Sequence, residues 1–194
     1  MLINYDPSCC LYIIGSTEVA DALQRWIPTE TSGEVKIINP ENFGDLEEQS
    51  QCILGFWTIE YRISFLKKYN IKNYRWPNYV HPQAFVSETN LFGQGVVIYP
   101  MSYVGNDAQI GDFCTIGQLV SIGHSTKLGN QCVVNPGTII GGSTQIGDYV
   151  SFGQSCSVRD KISICDNTKF HMSSTVTKSV TKPGTYYSNR KLSD

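Results

Sequence analysis

The sequence is short of charge of either sign and has no segment rich in Lys or Arg. Its 194 residues include 15 Lys or Arg and 17 Asp or Glu, which gives a formal net charge of -2 at pH 7. The absence of a basic run argues against nucleic acid or an anionic membrane surface as the main partner. A small or neutral partner is therefore expected.

Long apolar runs are also lacking. No stretch approaches the ~18 consecutive apolar residues of a membrane-spanning helix. The opening residues Met-Leu-Ile-Asn-Tyr-Asp have neither the basic residues nor the apolar core of a signal peptide. The seven cysteines have no CxxC or CxxxC spacing, which is typical of reduced thiols rather than of a disulfide framework or a zinc site. These absences predict a cytoplasmic protein without a metal.

What the sequence does contain is a hexapeptide repeat. Every sixth residue from Val80 to Val176 is Val, Ile, Leu or Phe, and the register never slips. Gly often follows these ladder residues directly, as at Gly123 and Gly141, and a small residue such as Thr126 often lies two positions before them. One apolar residue in six cannot bury itself, so the units must stack into a solenoid with the ladder inside.

Three hexapeptides that close one triangular coil give a period of 18 residues, and parallel stacking would place residues one period apart ~4.8 Å from each other. Asn106, His124 and Gly142 would then be neighbours in successive coils. We expect the glycines that follow the ladder residues to adopt the turn conformations that other residues disfavour.

Residues 1–78 lack the repeat and alternate between apolar runs and helix-like stretches. The runs 11–14, 35–38 and 52–56 predict strands, and 18–26 and 59–69 have helical periodicity. This pattern predicts a small α/β domain of βαβαβ, Rossmann-like type. Because such sheets bind ligands beyond the carboxyl ends of their strands, substrate-binding residues are expected there. The candidates are Gly15, Ser16, Thr17, Asn39, Pro40, Gly55 and Trp57.

Several features of the sequence are together typical of one protein family. They are the βαβαβ order, the junction His81-Pro82-Gln83-Ala84, and hexapeptide coils with Ile122-Gly123-His124, Asn135-Pro136-Gly137, Ile140-Gly141-Gly142 and Val176-Thr177-Lys178 in register. The chain resembles bacterial sugar acetyltransferases that include the bacillosamine-pathway UDP-4-amino-sugar N-acetyltransferase and the sialic acid O-acetyltransferases. The resemblance implies a nucleotide-sugar-binding domain at 1–78, a left-handed parallel β-helix at 79–182 and a C-terminal tail at 183–194.

The same resemblance implies an acetyl-CoA-dependent transferase that forms a homotrimer with active sites between subunits. Its substrate would be a nucleotide-linked amino sugar, with a 4-amino-4,6-dideoxyhexose as the leading expectation and N-acetylation as the reaction. For acetyl-CoA, the resemblance points to Val133, Gly142, Gln154 and Met172 along the pantetheine, with Lys178 near the phosphates. Each of these residues could instead be plain coil surface.

His124 is the candidate general base, because it lies at a coil corner two residues after the ladder residue Ile122. Acyl transfer from a thioester to an amine needs a base for the amine proton and a donor for the oxyanion. The imidazole of His124 and the amide of Gly142 would supply both. The alternative interpretation is an ordinary surface histidine. His81 is expected to be a junction residue, and His171 to be exposed or beside the cofactor.

Several positions depart from the family pattern. Glu18 and Val19 replace the second Gly and the His of the first turn, Asn39-Pro40 replaces an acidic pair, and Ser125 follows His124 where a carboxylate is frequent. The end of the chain is also different, with Tyr187-Ser188-Asn189-Arg190-Lys191 in place of Gly-Val-Pro-Ala-Lys.

Three alternatives therefore stay open. One is O-acetylation of a sialic-acid-like sugar, and another is a non-catalytic trimeric β-helix scaffold. The third is a zinc enzyme of the γ-carbonic anhydrase type, which needs three converging histidines. His81, His124 and His171 are 43 and 47 residues apart. Neither spacing is a multiple of the coil period, so the third alternative is disfavoured.

Overall fold

The computed structural model describes residues 1–15, 18–27 and 33–193, and the side chains of all of these except residue 193. The chain divides into two compact units, Met1–Val80 and His81–Asp194. In the described parts of the chain, no helix has the length and apolar character needed to cross a membrane. Two of the predicted substrate-binding residues, Ser16 and Thr17, lie outside the described residues.

The first unit is built on a three-stranded parallel sheet with the order β3-β2-β4. Strands β2 and β4 are largely buried, whereas only Val35 is buried in β3. A short strand pair, β1 with β5, is antiparallel. The elements are β1 (Leu2–Ile3), β2 (Leu11–Ile14), α1 (Glu18–Trp26), β3 (Val35–Ile38), β4 (Gln51–Leu54), α2 (Ile59–Lys68) and β5 (Asn78–Val80).

The connection from β3 to β4, for which no element was predicted, contains a 3-10 helix, Pro40–Asp45, where a regular βαβαβ order would have an α-helix. The Asn39 side chain accepts a hydrogen bond from the backbone N–H of Glu41 at 3.0 Å and so caps this helix. Phe43 then packs edge-on against α2, with its ring centroid 5.0 Å from that of Phe65. A second 3-10 helix, Ile71–Asn73, follows α2.

The second unit is a parallel β-solenoid with three sheets. Each ladder residue ends a short strand, and strands one coil apart pair in parallel. The first sheet contains β6 (Phe85–Val86), β9 (Tyr103–Val104), β12 (Ser121–Ile122), β15 (Ile139–Ile140), β18 (Ser157–Val158) and β21 (Thr175–Val176). The second contains β7 (Leu91–Phe92), β10 (Gln109–Ile110), β13 (Lys127–Leu128), β16 (Gln145–Ile146) and β19 (Ser163–Ile164). The third contains β8 (Val97–Ile98), β11 (Thr115–Ile116), β14 (Val133–Val134), β17 (Ser151–Phe152) and β20 (Thr168–Phe170), and is extended by β22 (Gly184–Tyr187) and β23 (Arg190–Ser193).

The predicted period of 18 residues is confirmed by the strand register. Ser121 pairs with Ile139 and Ile122 with Ile140, and the other coils pair in the same way. Ladder side chains fill the interior, where Ile122 is fully buried. The corners between strands therefore stack in columns, and a residue's neighbours in its column are the residues 18 before and 18 after it.

The expectation that the glycines after the ladder residues adopt the special turn conformations is wrong. Positive φ angles fall on the residue three positions after each ladder residue from Phe92 to Phe170, and these are mostly non-glycine, such as Ser125 (φ 55) and Ser143 (φ 58). The glycine directly after a ladder residue is required for a different reason, the close stacking of successive coils. A Cβ on Gly123 would lie 2.4 Å from the Gly142 nitrogen of the next coil, so close stacking excludes a side chain there.

The small residues two positions before the ladder residues also have a structural role. The Thr138 hydroxyl donates to the Gly153 carbonyl at 3.0 Å, and the Cys114 thiol donates to the Gly129 carbonyl at 3.0 Å. These bonds link each coil to the next where backbone carbonyls turn inward at the corner. The described cysteines are all free thiols.

The segment 183–194, interpreted from sequence as a tail, contains the strands β22 and β23, which pair as an antiparallel hairpin. Its turn covers the edge of β21. The Ser188 hydroxyl accepts from the Thr175 N–H at 3.0 Å, and the Asn189 side chain accepts from the Thr177 N–H at 2.8 Å. Two side chains thus replace the next strand of that sheet.

Candidate active site

The corner that carries His124, here called the His124 corner, spans residues 123–126 between β12 and β13. The backbone leaves the interior at Ile122, and His124 is exposed two residues later. Its carbonyl accepts a hydrogen bond from the Ser143 N–H at 2.7 Å, and the Ser125 N–H donates to the Asn106 carbonyl at 2.8 Å. The corner is therefore fixed by the coils on both sides while the imidazole faces solvent.

Gly142 lies beside the imidazole. A Cβ built on Gly142 would be 2.9 Å from His124 Nε2 and 3.0 Å from Cδ2. Any side chain at this position would therefore displace the ring. Among the described residues, no group accepts a hydrogen bond from the Gly142 N–H. The structure thus brings the two predicted catalytic residues together.

Ser125 supplies a contact that the sequence analysis did not predict. Its hydroxyl oxygen is 3.3 Å from His124 Nδ1. If Nδ1 carries the proton and donates to this oxygen, the lone pair of Nε2 is directed towards Gly142. The only sequence signal was adjacency, because Ser125 reaches back to the ring through its left-handed backbone conformation (φ 55).

The five predicted acetyl-CoA residues do not form one cluster within the chain. Gly142 and Lys178 lie in the column of His124, at one edge of the β12 sheet. Gln154 and Met172 are stacked in successive coils at the opposite edge, where the Ser173 N–H donates to the Gln154 carbonyl at 2.8 Å. Val133 lies on a different sheet, in β14, and is only 2% exposed.

The face between these two edges is apolar at one end. The side chains of Phe85, Tyr103 and Ile139 point outwards from the β12 sheet and are 66%, 44% and 54% exposed. The rings of Phe85 and Tyr103 are stacked, with centroids 5.5 Å apart. Met101 and Leu119, which are 66% and 58% exposed, border this face at the edge that also carries Gln154.

The other two histidines are placed differently. His81 is buried, and its Nδ1 accepts a hydrogen bond from the Gln83 N–H at 3.1 Å. Burial lowers the pKa of His81. His171 is exposed, next to Met172. Among the residues that the structure describes, no group of three His, Cys, Asp or Glu side chains could hold a metal ion.

In the first unit, the described candidates for substrate binding lie at the carboxyl ends of the strands. Because Ile38, Ile14 and Leu54 pair side by side, the residues that follow them, Asn39, Gly15 and Gly55, share one edge of the sheet. A Cβ on Gly15 would lie 2.8 Å from the Gly55 carbonyl oxygen. Pro40 is buried and Trp57 is half-buried.

The family model of the bacterial transferase hexapeptide (six repeats) matches residues 107–142, the coils that contain His124 and Gly142. No curated protein sequence matches the chain significantly. Comparison with solved structures, in contrast, finds relatives across nearly the full length.

The acetyltransferase domain of PglB from Neisseria gonorrhoeae FA1090 has a TM-score of 0.84 at 18% identity, over 95% of this chain and 98% of that chain. The same domain has been solved in complex with acetyl coenzyme A. PerB from Caulobacter crescentus, in complex with CoA and GDP-perosamine, has a TM-score of 0.79 at 18% identity, over 95% of both chains. WeeI from Acinetobacter baumannii AYE has a TM-score of 0.78 at 13% identity, over 95% of this chain and 99% of that chain.

These likenesses show the fold over 95% of the chain. The predicted resemblance in fold to hexapeptide-repeat acetyltransferases is thereby confirmed.

Proposed function

We propose that the protein is an acetyl-CoA-dependent N-acetyltransferase that acts on a nucleotide-linked amino sugar, with His124 as general base. The observation that carries the proposal is the pair formed by His124 and Gly142. An exposed imidazole lies against a glycine whose missing side chain leaves room beside Nε2, and the N–H of that glycine is available as a donor. Thioester aminolysis needs these two groups side by side.

The reaction follows from this geometry. The amine of the sugar attacks the thioester carbonyl directly, a C–N bond forms, and Nε2 of His124 takes a proton from the nitrogen. The Gly142 N–H donates to the carbonyl oxygen as it becomes negative. The C–S bond then breaks, the imidazolium protonates the leaving thiolate, and the products are the amide and free CoA. Ser125 holds the tautomer in which Nε2 is basic.

The separation of the acetyl-CoA residues supports a site between subunits. Gly142 and Lys178 lie on one edge of the β12 sheet, and Gln154 and Met172 lie on the other. One acetyl-CoA molecule can reach both sets if the first edge of one copy faces the second edge of the next. Such a head-to-tail contact forms a ring when the rotation from one copy to the next closes after a whole number of copies. The exposed apolar face between the edges favours a homotrimer.

Two further features support the substrate class. PerB, which has the same fold, is described with CoA and GDP-perosamine, a nucleotide-linked amino sugar. The first unit of the present chain has a parallel sheet whose carboxyl edge presents Gly15, Asn39 and Gly55. The nucleotide would bind at this edge.

The proposal is tested by mixing the purified protein with acetyl-CoA and nucleotide-linked 4-amino-4,6-dideoxyhexoses and measuring thiol release. We expect release that depends on the sugar and a product that is stable in mild base, as an amide is. A product lost in mild base would be an ester and would indicate O-acetylation instead, and the assay would then be repeated with a sialic-acid-like sugar. No thiol release, together with unchanged thermal stability in acetyl-CoA, would favour a non-catalytic scaffold.

A further inference from the structure

A pocket in the first unit lies between the start of the 3-10 helix and the outer side of α2. Its volume is about 200 Å³. Tyr61, Phe65 and Lys68 line it from α2, where they are spaced so that they share one side of the helix. Pro40 and Glu41 line it from the 3-10 helix, and Tyr69 closes its end.

The pocket lies at the edge of the sheet where ligands of parallel α/β folds bind. Pro40 is the second residue after β3 ends at Ile38. On the other side, the Tyr61 ring packs edge-on against Phe56, which follows Gly55 at the end of β4, with centroids 4.8 Å apart. The pocket is therefore continuous with the carboxyl ends of two strands.

The pocket combines an aromatic surface with one charge of each sign. Tyr61 is 46% exposed, so its ring is accessible to a ligand. Lys68 Nζ lies 4.9 Å from the centroid of the Tyr69 ring, and the Tyr69 hydroxyl donates to the Pro40 carbonyl at 3.0 Å. Tyr69 and, to a smaller extent, Glu41 raise the pKa of Lys68, and the Lys68 ammonium and the Glu41 carboxylate both line the pocket.

We propose that this pocket binds the base of the nucleotide-sugar and that the pair Glu41 and Lys68 selects guanine. The inference rests on the proposed function, since it assigns the nucleotide part of that substrate. Tyr61 is the stacking surface, because every base has a planar face that an aromatic ring can cover.

The choice of guanine follows from hydrogen-bonding complementarity. Along one edge guanine presents an acceptor, O6, followed by two donors, N1–H and the N2 amino group. A Lys ammonium followed by the two oxygens of a carboxylate matches this order. Uracil and thymine present acceptor, donor, acceptor, so their O2 would face a carboxylate oxygen. Adenine presents a donor to the ammonium. Of these bases, only guanine pairs an acceptor with the ammonium and two donors with the two oxygens of the carboxylate.

The test is calorimetric titration of the full-length protein with GDP, UDP, dTDP and ADP. We expect GDP to bind about 10-fold more tightly than the other three, as one bidentate pair would provide. Glu41→Gln should remove this preference by weakening GDP and leaving UDP nearly unchanged. Tyr61→Ala should weaken all four by about 10-fold. Glu41 and Tyr61 are both exposed, so neither change should affect folding.

Matched controls are available in the same unit. Glu47 is an exposed glutamate away from the pocket, and Lys67 is the exposed neighbour of Lys68 along α2. Glu47→Gln and Lys67→Met should bind GDP as the unaltered protein does, whereas Lys68→Met should bind it more weakly. Tighter binding of UDP, dTDP or ADP than of GDP would overturn the proposal, and so would an unchanged GDP preference in Glu41→Gln.

Failure here is distinguishable from failure of the proposed function. If no nucleoside diphosphate binds but acetyl-CoA still acetylates an amino sugar, the base pocket is wrong and the transferase stands. If GDP binds through Glu41 and Tyr61 but neither acetyl-CoA binding nor thiol release is measured, the pocket stands and the proposed transferase is wrong.

Discussion

Two corners of the same coils use the same hexapeptide position in opposite ways. In the column that follows the β10–β13 sheet, here called the closed column, the residues two after the ladder are Asp112, Asn130, Asp148 and Asp166. Each side-chain oxygen accepts from the backbone N–H of the residue one coil earlier. The distance is 2.8 Å for Asn130 to the Asp112 N–H and 2.7 Å for Asp148 to the Asn130 N–H.

The column at the His124 corner has Asn106, His124, Gly142, Asp160 and Lys178 at that position. Among the described residues, no side chain caps the N–H groups of His124 or Gly142. At the same hexapeptide position, Asp and Asn side chains thus accept from the backbone N–H groups in the closed column, whereas the N–H groups of His124 and Gly142 have no such cap. The closed column thus has side-chain caps that contribute to stability, and the His124 corner has uncapped N–H groups that the proposed function would use for a ligand.

The largest effect, loss of folding, is expected in the buried ladder residues, which both columns share. Ile122→Asp should prevent folding, because it buries a carboxylate without a partner at a site with 0% exposure, at a cost of several kcal/mol. Ser121→Asp, one residue earlier and directed outwards, is the matched control and should fold. Circular dichroism and gel filtration measure both. A soluble, active Ile122→Asp protein would overturn the register.

The second prediction is that a substitution in the His124 column lowers turnover, whereas one in the closed column lowers stability. His124→Ala should lower turnover by ~10²-fold or more and leave thermal stability unchanged, because the residue supplies proton transfer from an exposed position. Asn130→Ala on the closed column should do the reverse, with normal turnover and a loss of about 1 kcal/mol from the missing cap to the Asp112 N–H. Turnover assays and thermal unfolding of both variants decide the question. Full activity in His124→Ala would remove the residue from the mechanism.

The third prediction converts the open corner into a closed one. In Gly142→Asn the new Cβ would lie 2.9 Å from His124 Nε2, so the ring must move, and the amide oxygen could cap the His124 N–H as Asn130 caps its neighbour. We expect turnover to fall by roughly 10²-fold, as for loss of an oriented base, and stability to rise by about 1 kcal/mol.

Gly142→Val should also lose activity and acetyl-CoA binding. It should do so without backbone strain, because the positive φ of this corner belongs to Ser143. Calorimetry with acetyl-CoA and turnover measurements check both variants. Normal values would mean that residue 142 does not act beside residue 124.

The coils could be predicted from sequence because one period determines them. Once every sixth residue is apolar, stacking places Gly142 beside His124 with no further information. Side-chain direction at the corners could not be predicted in the same way. It depends on which residue has a positive φ, and we assigned that conformation to the glycines when it falls on Ser125 and Ser143. The Ser125 contact with His124 was missed for this reason.

The first unit was harder because nothing repeats in it. The three strands of its parallel sheet and both α-helices follow from apolar periodicity, but β1 was not predicted, and Pro40–Asp45 was too short to distinguish a 3-10 helix from an irregular loop. The pocket residues Glu41 and Lys68 gave no sequence signal, since they come together only when the 3-10 helix packs against α2. Asn39 was predicted as a ligand residue, but its side chain caps the 3-10 helix.

The fourth prediction concerns the partner of the imidazole. Ser125→Ala removes the oxygen 3.3 Å from Nδ1 of His124. Turnover should fall a few-fold, because the tautomer with the proton on Nδ1 loses its hydrogen-bond acceptor. Ser125→Asp, which the positive φ tolerates, places a carboxylate there instead. A nearby negative charge favours the imidazolium, so the pH of half-maximal activity should rise. Identical pH profiles in all three proteins would show that Ser125 does not contact the working imidazole.

The smallest effect is expected at the buried histidine, His81. Like the side chains of the closed column, its ring accepts a hydrogen bond from a backbone N–H group. His81 Nδ1 accepts from the Gln83 N–H and therefore must be unprotonated in the folded state. Burial lowers its pKa, so the unfolded chain binds the proton more readily than the folded one. The stability that this provides is complete above about pH 6.5, the ordinary value for histidine, and is lost as the pH falls towards the folded pKa.

His81→Asn keeps an acceptor for the Gln83 N–H but does not titrate. We expect the unaltered protein to unfold a few degrees lower at pH 5.5 than at pH 7.5, and this difference to shrink in His81→Asn. An equal decrease in both proteins would assign the acid sensitivity to other groups. A larger decrease in His81→Asn would contradict the neutral, bond-accepting state of His81.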